Sequence, residues 1–410
     1  MLRVNVCRFE QRVISTLFQV ALLAAILGGL PSPLLAQETR AEEIASKQKE
    51  KAAKLEPYQP TGVEKFLTQI EETYTSPPSG FFPNIGSVYP GGGLALGVGY
   101  RQFYAREAVW EIKGLYSIKN YKLIEVGTRS PWNANGRWFL GLRGGYRDAT
   151  QVGFYGLGPD TSRGDRANFR LQEAYGIGTV AVRPSWWTRL EGEVSYEDFK
   201  NEGGAGRAPS IETRYNGVTA PSLFVDTQYL HSQGMAAIDW RTSPGYTRRG
   251  GFYGVTLHDY ADRDKTFSFR RVDGELIQHL PMLRESWVLS FRARMQSTLD
   301  DADQVPYYLL PYLGSGNTLR GYPTGRFRDR HSLLTSAEFR WIASRLALDM
   351  AFFFDAGKVA NRREDLDFNN LKTDWGIGAR FHGPAATALR LEGAKGSEGW
   401  RLVISAGPAF

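Results

Sequence analysis

Histidine, cysteine and acidic side chains are the residues of this sequence that could support hydrolysis or metal binding. The chain has one cysteine and five histidines, namely Cys7, His231, His258, His279, His331 and His382. No two histidines have the i, i+4 spacing of a helical metal pair or another metal-site spacing. The sequence also lacks a GxSxG motif, a P-loop and a GxGxxG motif before a helix. It therefore predicts no metal centre and no cofactor.

Acidic residues and a histidine also cluster near two predicted strand ends. His258 and Asp259 are adjacent, and Asp300, Asp301 and Asp303 follow another strand. A histidine–aspartate pair at the rim of a barrel can activate water. Neighbours in a strand point to opposite faces, however, so His258 and Asp259 cannot both line one lumen. A rim hydrolase is therefore the weakest of three function hypotheses, and we expect a protein that is not an enzyme.

A further candidate is Arg320, in the glycine-rich connection GNTLRGYPTGRFRD, residues 316–329. Stretches that alternate like β-strands lie on both sides of this connection. In the stretches that follow it, Glu338 falls on the face opposite Phe339 and Trp341, and Asp355 falls on the face opposite Met350, Phe352 and Phe354. Arginine stays charged, and its planar fork can bond two carboxylates at once. Both carboxylates are therefore expected on the polar side of these strands, and loop chemistry alone does not explain an arginine in this setting.

The elements that must position these residues are strands of about ten residues, which run from Phe81 to the C-terminus. The stretches RWFLGLRGGYRD (137–148) and SWVLSFRARMQSTL (286–299) alternate apolar with polar or small residues. The chain's 45 Gly, 10 Trp, 20 Tyr and 23 Phe also favour β-structure. Sixteen strands are predicted to start near residues 81, 94, 108, 121, 137, 169, 188, 233, 251, 266, 286, 331, 345, 372, 386 and 400.

The connections between these strands favour a membrane barrel over a soluble sandwich. Most connections after even-numbered strands are short, whereas long ones follow odd-numbered strands, at 155–168, 200–232, 300–330 and 356–371. Outer-membrane barrels have this asymmetry, together with an apolar outer face, aromatic girdles and a polar lumen. We therefore predict an all-β transmembrane fold over residues 81–410, a 16-stranded antiparallel outer-membrane β-barrel whose termini both lie on the periplasmic side.

The first eighty residues divide into two predicted segments. Residues 1–36 combine early arginines with the apolar run 13–30, which predicts a cleavable signal peptide; a retained membrane helix is the rival interpretation. Residues 37–80 predict a charged helical periplasmic lead-in. Because Cys7 lies in the signal peptide, no disulfide is expected in the mature chain. The formal net charge of +7 is spread along the sequence without a polybasic run, so no nucleic-acid partner is expected.

The order of motifs in the C-terminal third resembles the BamA/TamA superfamily of outer-membrane barrels, the bacterial surface antigen family. The resemblance is carried by LGSGNTLRGYPTGRFRD and by TSAEFRWIASRLALDMAFFFDAGKV, which follows it. It implies that the sixth outer loop folds back into the lumen, where its Arg-Gly-aromatic motif meets an inward acid and an F-x-D-x-G motif. The implied structural lock comprises Arg320, Gly321, Tyr322, Glu338, Asp355 and Gly357. No POTRA domain fits between Gln37 and the first strand, so the resemblance is to a short branch of this family.

The resemblance implies transport or assembly of protein or lipid at the outer membrane, by analogy through a weak seam between the first and last strands. The alternative is a passive porin-like channel, lined by Arg143, Arg147, Arg292 and Arg294 with Glu191 and Glu193. Expected partners are outer-membrane lipid, the barrel-assembly machinery during biogenesis, and a second copy of the chain or a periplasmic protein. Phe410 is expected to end the last strand on the outward face of Trp400, Leu402 and Ile404, as a C-terminal assembly signal.

Overall fold

The computed structural model describes residues 79–410, apart from 106–107, 134, 284, 344–346 and 384–385. The predicted signal peptide and nearly all of the helical lead-in therefore lie outside the described residues. Within the described part of the chain, no helix is long and apolar enough to cross a bilayer.

Sixteen strands form one antiparallel sheet in which every strand pairs with its neighbours in sequence. The first eight are β1 (Gly80–Gly86), β2 (Ala95–Phe103), β3 (Val109–Ser117), β4 (Lys122–Arg129), β5 (Trp138–Phe154), β6 (Ala167–Val182), β7 (Thr188–Gly203) and β8 (Thr227–Asp239). The others are β9 (Gly250–Asp262), β10 (Phe269–Met282), β11 (Trp287–Thr298), β14 (His331–Ala343), β15 (Leu348–Ala360), β16 (Lys372–His382), β17 (Thr387–Gly396) and β18 (Gly399–Ser405). This order confirms the predicted 16-stranded antiparallel fold.

Short elements occupy the long connections. Two strands of two residues, β12 (Tyr312–Leu313) and β13 (Phe327–Arg328), pair with each other between β11 and β14. Single 3₁₀ turns lie at Arg163–Asp165, Ile211–Thr213, Ala302–Gln304 and Arg363–Asp365. We call the end of the barrel with the long connections the loop end, and the opposite end the turn end.

Predicted strand starts agree with the structure to within three residues, except for β8. That strand begins at Thr227 rather than near residue 233. Its first residues, TQYLHSQ, read as polar loop because the inward positions carry polar side chains. Tyr229 nevertheless is fully buried, and it packs edge-on against Tyr260 with ring centroids 5.6 Å apart. Where the residues that face the lumen are polar, the start of a strand therefore cannot be recognised from apolar residues in its sequence.

The two faces of the sheet differ as a membrane barrel requires. On β14, Ser336, Glu338 and Arg340 are buried on the inner face, whereas Trp341 is 45% exposed on the outer face. Other large apolar side chains of the outer face, such as Leu402 of β18, are exposed as well. An apolar exterior of this kind is stable in hydrocarbon, where every backbone group must bond within the sheet.

At the loop end, segments that connect the strands fold into the interior of the barrel and fill part of it. The connection 299–330, which we call the returned loop, contributes Val305, Tyr307, Leu310 and Leu319 as fully or almost fully buried residues. Tyr307 packs between Phe154 and Phe169, with ring centroids 5.1 and 4.8 Å away. The returned loop therefore lies against the inner wall of the barrel.

The last strand corrects one prediction about Phe410. Trp400, Leu402 and Ile404 are exposed on the outer face of β18, but the strand ends at Ser405. The chain then turns, and Phe410 packs against the inward-facing cluster of Ala237, Phe252 and Ile277. Four residues without strand pairing, 406–409, separate Phe410 from β18, so the alternation of the strand does not extend to it.

Candidate functional site

Arg320 is positioned by a compact fold of the returned loop. The β12–β13 pair closes the base of this fold, with Tyr312 opposite Arg328. The Gly325 amide donates to the Gly314 carbonyl (2.9 Å), and the Gly314 amide donates to Thr318 Oγ1 (3.1 Å). These bonds satisfy backbone groups that burial would otherwise leave unpaired. Arg320 therefore lies on a segment whose backbone conformation is stabilised by hydrogen bonds within the loop.

The guanidinium of Arg320 contacts three carboxylates of the inner wall. Nε and Nη2 donate to the two oxygens of Asp355 at 2.7 and 3.0 Å, a bidentate pair. Nη1 donates to Glu338 and to Glu392, each at 3.2 Å. The guanidinium carbon also lies 3.5 Å from the ring centre of Phe353, a cation–π contact. Arg320 is only 2% exposed, so these contacts are shielded from water.

Two further arginines complete the cluster. Arg380 donates to both Glu338 and Glu392, the latter at 3.0 Å. Arg390 donates to Glu392 at 3.0 Å and to the side chain of Asn317 in the returned loop at 2.6 Å. Burial alone would lower the pKa of Arg320, but its carboxylate partners raise it above the ordinary arginine value. The cluster thus matches three guanidinium groups to three carboxylates.

Two glycines and a tyrosine of the predicted motif determine how closely the returned loop approaches the inner wall of the barrel. A Cβ on Gly321 would lie 2.6 Å from the Gly396 nitrogen and 2.7 Å from Asp374 Cβ, so no larger residue fits. A Cβ on Gly357 would lie 2.8 Å from Leu313 of the loop. The hydroxyl of Tyr322, next to Gly321, donates to the Thr373 carbonyl at 3.2 Å and lies 3.0 Å from Ser397 Oγ. The structure brings all six predicted residues to one interface.

The returned loop is also tied to the hairpin between β17 and β18. Arg326 donates to Glu398 at 2.7 Å, and Arg401 of β18 donates to the Tyr322 carbonyl. Arg326 reaches Thr161 in the β5–β6 connection as well, at 2.8 Å. These contacts link the loop to two further segments, the β17–β18 hairpin and the β5–β6 connection, in addition to the buried cluster.

Sequence reasoning missed Glu392, Arg380 and Arg390. A usable signal was present, because Arg390 and Glu392 are two residues apart in ALRLEGAKG and so share a strand face. Charged residues on the inner face of a spanning strand are candidates for a functional site. The pairing of Glu392 with Arg320 could not be read from spacing, since 72 residues separate them.

A second buried polar cluster lies at the turn end, where no site was predicted. The β8–β9 connection (240–249) folds into the barrel, and Tyr246 donates to Asp349 at 2.7 Å. The Tyr246 ring stacks on His382 with centroids 4.0 Å apart. Arg340 donates to the Thr247 carbonyl of the same connection. This connection is the longest at the turn end, and its contacts cover part of the lumen from that side.

The residues of the rim-hydrolase hypothesis are not assembled. His258 faces the lumen beside His231, with ring nitrogens 3.2 Å apart, while Asp259 is exposed on the other face. Asp300 accepts from Arg270 at 3.1 Å rather than from His258. Across the described residues, no group of three or more histidine, cysteine or acidic side chains is arranged to hold a metal ion.

Comparison with known proteins identifies the family of this barrel. Residues 112–396 match the Omp85 superfamily domain. The chain belongs to the Omp85 superfamily. Among solved structures, this Omp85 protein resembles BamA from Haemophilus ducreyi lacking POTRA domains 1–3, with a TM-score of 0.58, 14% identity, and coverage of 80% of this chain and 69% of that one.

A second solved structure of similar fold is CdiB from Escherichia coli. The TM-score is 0.52 and the identity 12%, with coverage of 84% of this chain and 68% of that one. No similar sequence was found among curated proteins. The membership agrees with the family resemblance of the motifs, and it makes the chain an outer-membrane β-barrel of this superfamily.

Proposed function

We propose that this Omp85 barrel transports or assembles protein or lipid at the outer membrane, with the returned loop as an internal stopper held by the Arg320 cluster. The observation that carries the proposal is the burial of Arg320 among Asp355, Glu338 and Glu392. A loop held inside the lumen by buried charges suits a barrel that opens on demand better than a permanently open pore. The residues Arg320, Gly321, Tyr322, Glu338, Asp355 and Gly357 form the lock in this proposal.

The passive-channel alternative predicts a wide water path, and the side chains named for it are paired instead. Arg147 lies 3.1 Å from Glu173, and Arg292 lies 2.5 Å from Glu275 and donates to the Asn317 carbonyl of the returned loop at 2.7 Å. Such pairs narrow a lumen and neutralise its lining charge. We therefore favour the stopper proposal over the passive-channel alternative.

Localisation and partners follow from the same proposal. Residues 1–36 act as a cleavable export signal, and residues 37–80 form a periplasmic lead-in that docks on a partner or on a second copy of the chain. The apolar outer face contacts outer-membrane lipid, and Phe410 is read by the barrel-assembly machinery. Membrane fractionation and N-terminal sequencing of the purified protein test the signal: a mature chain that starts at or close to Gln37 supports it, and a retained Met1 refutes it.

The activity is tested in proteoliposomes with the purified full mature chain. One assay measures scrambling of a fluorescent phospholipid by its accessibility to dithionite; the other measures the folding rate of an added unfolded outer-membrane barrel. We expect at least one rate to exceed that of liposomes carrying an unrelated barrel of similar size. Equal rates in both assays would refute the transport proposal.

Conductance separates the stopper from the passive channel. In planar bilayers the parent protein should show little steady current, and Arg320→Ala should raise it. Large, steady open channels in the parent would favour the porin-like alternative instead.

A further inference from the structure

A basic cavity of about 220 Å³ lies at the loop end, between the returned loop and the inner wall. Its lining contains four cationic side chains, Lys119, Arg166, Arg328 and Arg401, and no acidic one. They come from four parts of the chain: the β3–β4 connection, the residue before β6, the short strand β13 and the last strand β18. The fold thus gathers four positive charges around one small space.

None of these four cations has a carboxylate partner at salt-bridge distance within the described ranges, in contrast to Arg320, Arg380 and Arg390. They donate only to neutral acceptors. Lys119 Nζ donates to the Gly91 carbonyl (2.5 Å), and Arg166 Nε donates to Asn168 Oδ1 (3.3 Å). Arg328 Nη1 donates to the Tyr307 carbonyl (2.5 Å), and Arg401 donates to the Tyr322 carbonyl. The positive charge of the cavity is therefore not balanced by its own walls.

Arg328 is the side chain that most requires a counter-ion. It is 3% exposed, and its Nε has no hydrogen-bond partner in the part of the chain that the structure describes. A buried charge without a counter-ion is costly, and burial lowers the pKa of Arg328 accordingly. Burial, followed by the charges of Arg166 and Arg401, also lowers the pKa of Lys119. The positive charges of Arg166 and Arg401 therefore destabilise the protonated form of Lys119.

We propose that this cavity is a binding site for a phosphate-bearing anion, held by Arg328, Arg401, Lys119 and Arg166. Guanidinium groups match phosphate oxygens in pairs, and lysine adds a compact point charge. The volume is below the roughly 300–1,000 Å³ of pockets that hold drug-sized ligands. It therefore suits a phosphate group with a short stem rather than a whole nucleotide or oligosaccharide.

The position of the cavity bears on where the phosphate comes from. Arg401 lies on β18, and Tyr89 and Gly91 of the lining follow β1, so both ends of the strand order reach this cavity. A lipid headgroup could enter between these ends while its chains stay outside the barrel. Free phosphate could enter from the loop end. Both ligands share one chemistry, and the experiment distinguishes them.

The test uses the full mature chain in detergent, with isothermal titration against inorganic phosphate and, separately, against short-chain phosphatidic acid; short-chain phosphatidylcholine is the lipid control. The variant Lys119→Gln/Arg166→Gln removes two cavity charges without touching the Arg320 cluster. Arg207→Gln/Arg362→Gln is its matched control, because it removes two exposed loop arginines. The gel-mobility shift on heating verifies that each variant is folded.

We expect saturable binding that weakens at least about tenfold in the cavity variant and stays unchanged in the control, since each lost charge-assisted bond is typically worth about that factor. Binding of phosphatidic acid alone assigns a lipid headgroup, and binding of both ligands assigns the phosphate group itself. Absence of binding by the folded parent overturns the proposal, as does an equal loss in both variants.

Discussion

Substitution of Arg320 by alanine is the most direct perturbation of the buried cluster. It removes the two hydrogen bonds to Asp355 and the single bonds to Glu338 and Glu392. Glu338 keeps Arg380, and Glu392 keeps both Arg380 and Arg390. Asp355, by contrast, loses the one ion-pair partner that it has among the described residues. The expected loss is that of one buried orphaned carboxylate, about 3–5 kcal/mol in the free energy of unfolding.

The assay is urea unfolding of the refolded protein in micelles, followed by tryptophan fluorescence and by the heat-dependent gel-mobility shift. Arg320→Lys keeps the charge but cannot bond both oxygens of Asp355, so its loss should be smaller. The double variant Arg320→Met/Asp355→Leu removes both partners and leaves no orphaned charge. It should cost less than the sum of its single variants by about 2 kcal/mol.

Two results would refute this reasoning. One is an Arg320→Ala variant whose unfolding matches that of Arg207→Ala, an exposed arginine of the β7–β8 connection. The other is strict additivity in the double variant, which would mean that Arg320 and Asp355 act on stability independently. In either case the cluster would not hold the returned loop.

Three other substitutions probe the contacts around the cluster. Gly321→Ala should lower the urea midpoint strongly, because the new Cβ meets the Gly396 backbone at 2.6 Å, whereas Gly176→Ala, with open space around it, should behave like the parent. Tyr246→Phe leaves Asp349 without its 2.7 Å donor and should cost about 1–3 kcal/mol, measured against the lipid-facing Tyr196→Phe; no difference between the two would discount the turn-end cluster. Phe410→Ala should reduce the amount of barrel in the outer membrane of cells more than it reduces the stability of refolded protein, and parallel losses would contradict its role as an assembly signal.

The two-residue period of the strands and the lengths of the connections were enough to predict most of the fold from the sequence. Alternation predicted sixteen strands because lipid favours apolar side chains on the outer face of every strand. The start of β8 was misplaced because inward residues such as His231 face a lumen that accommodates polar side chains. The first residues of β8 therefore lack the alternation of apolar and polar residues that marks a strand. Phe410 was misplaced because the alternation of β18 ends at Ser405 and the following residues have no partner strand.

The candidate site was predictable only where a motif marked it. The face of Glu338 and Asp355 followed from parity, but Arg380 and Glu392 joined the cluster through the three-dimensional register of β14 to β17. That register depends on which strands become neighbours. The four cations of the basic cavity come from residues 119 to 401 and have no common spacing. Only the folded barrel shows that they share one space and that, among the described residues, none of them forms a salt bridge with a carboxylate.

The chain order of the cluster has a consequence for synthesis. Arg320 leaves the ribosome before its partners Glu338, Asp355 and Glu392, the last of which follows 72 residues later. A chain that stops short of β17 would therefore carry Arg320 with its partners incomplete and no β17–β18 hairpin for Arg326 to bind. The full set of contacts that hold the returned loop is therefore available only after the β17–β18 hairpin has been synthesised.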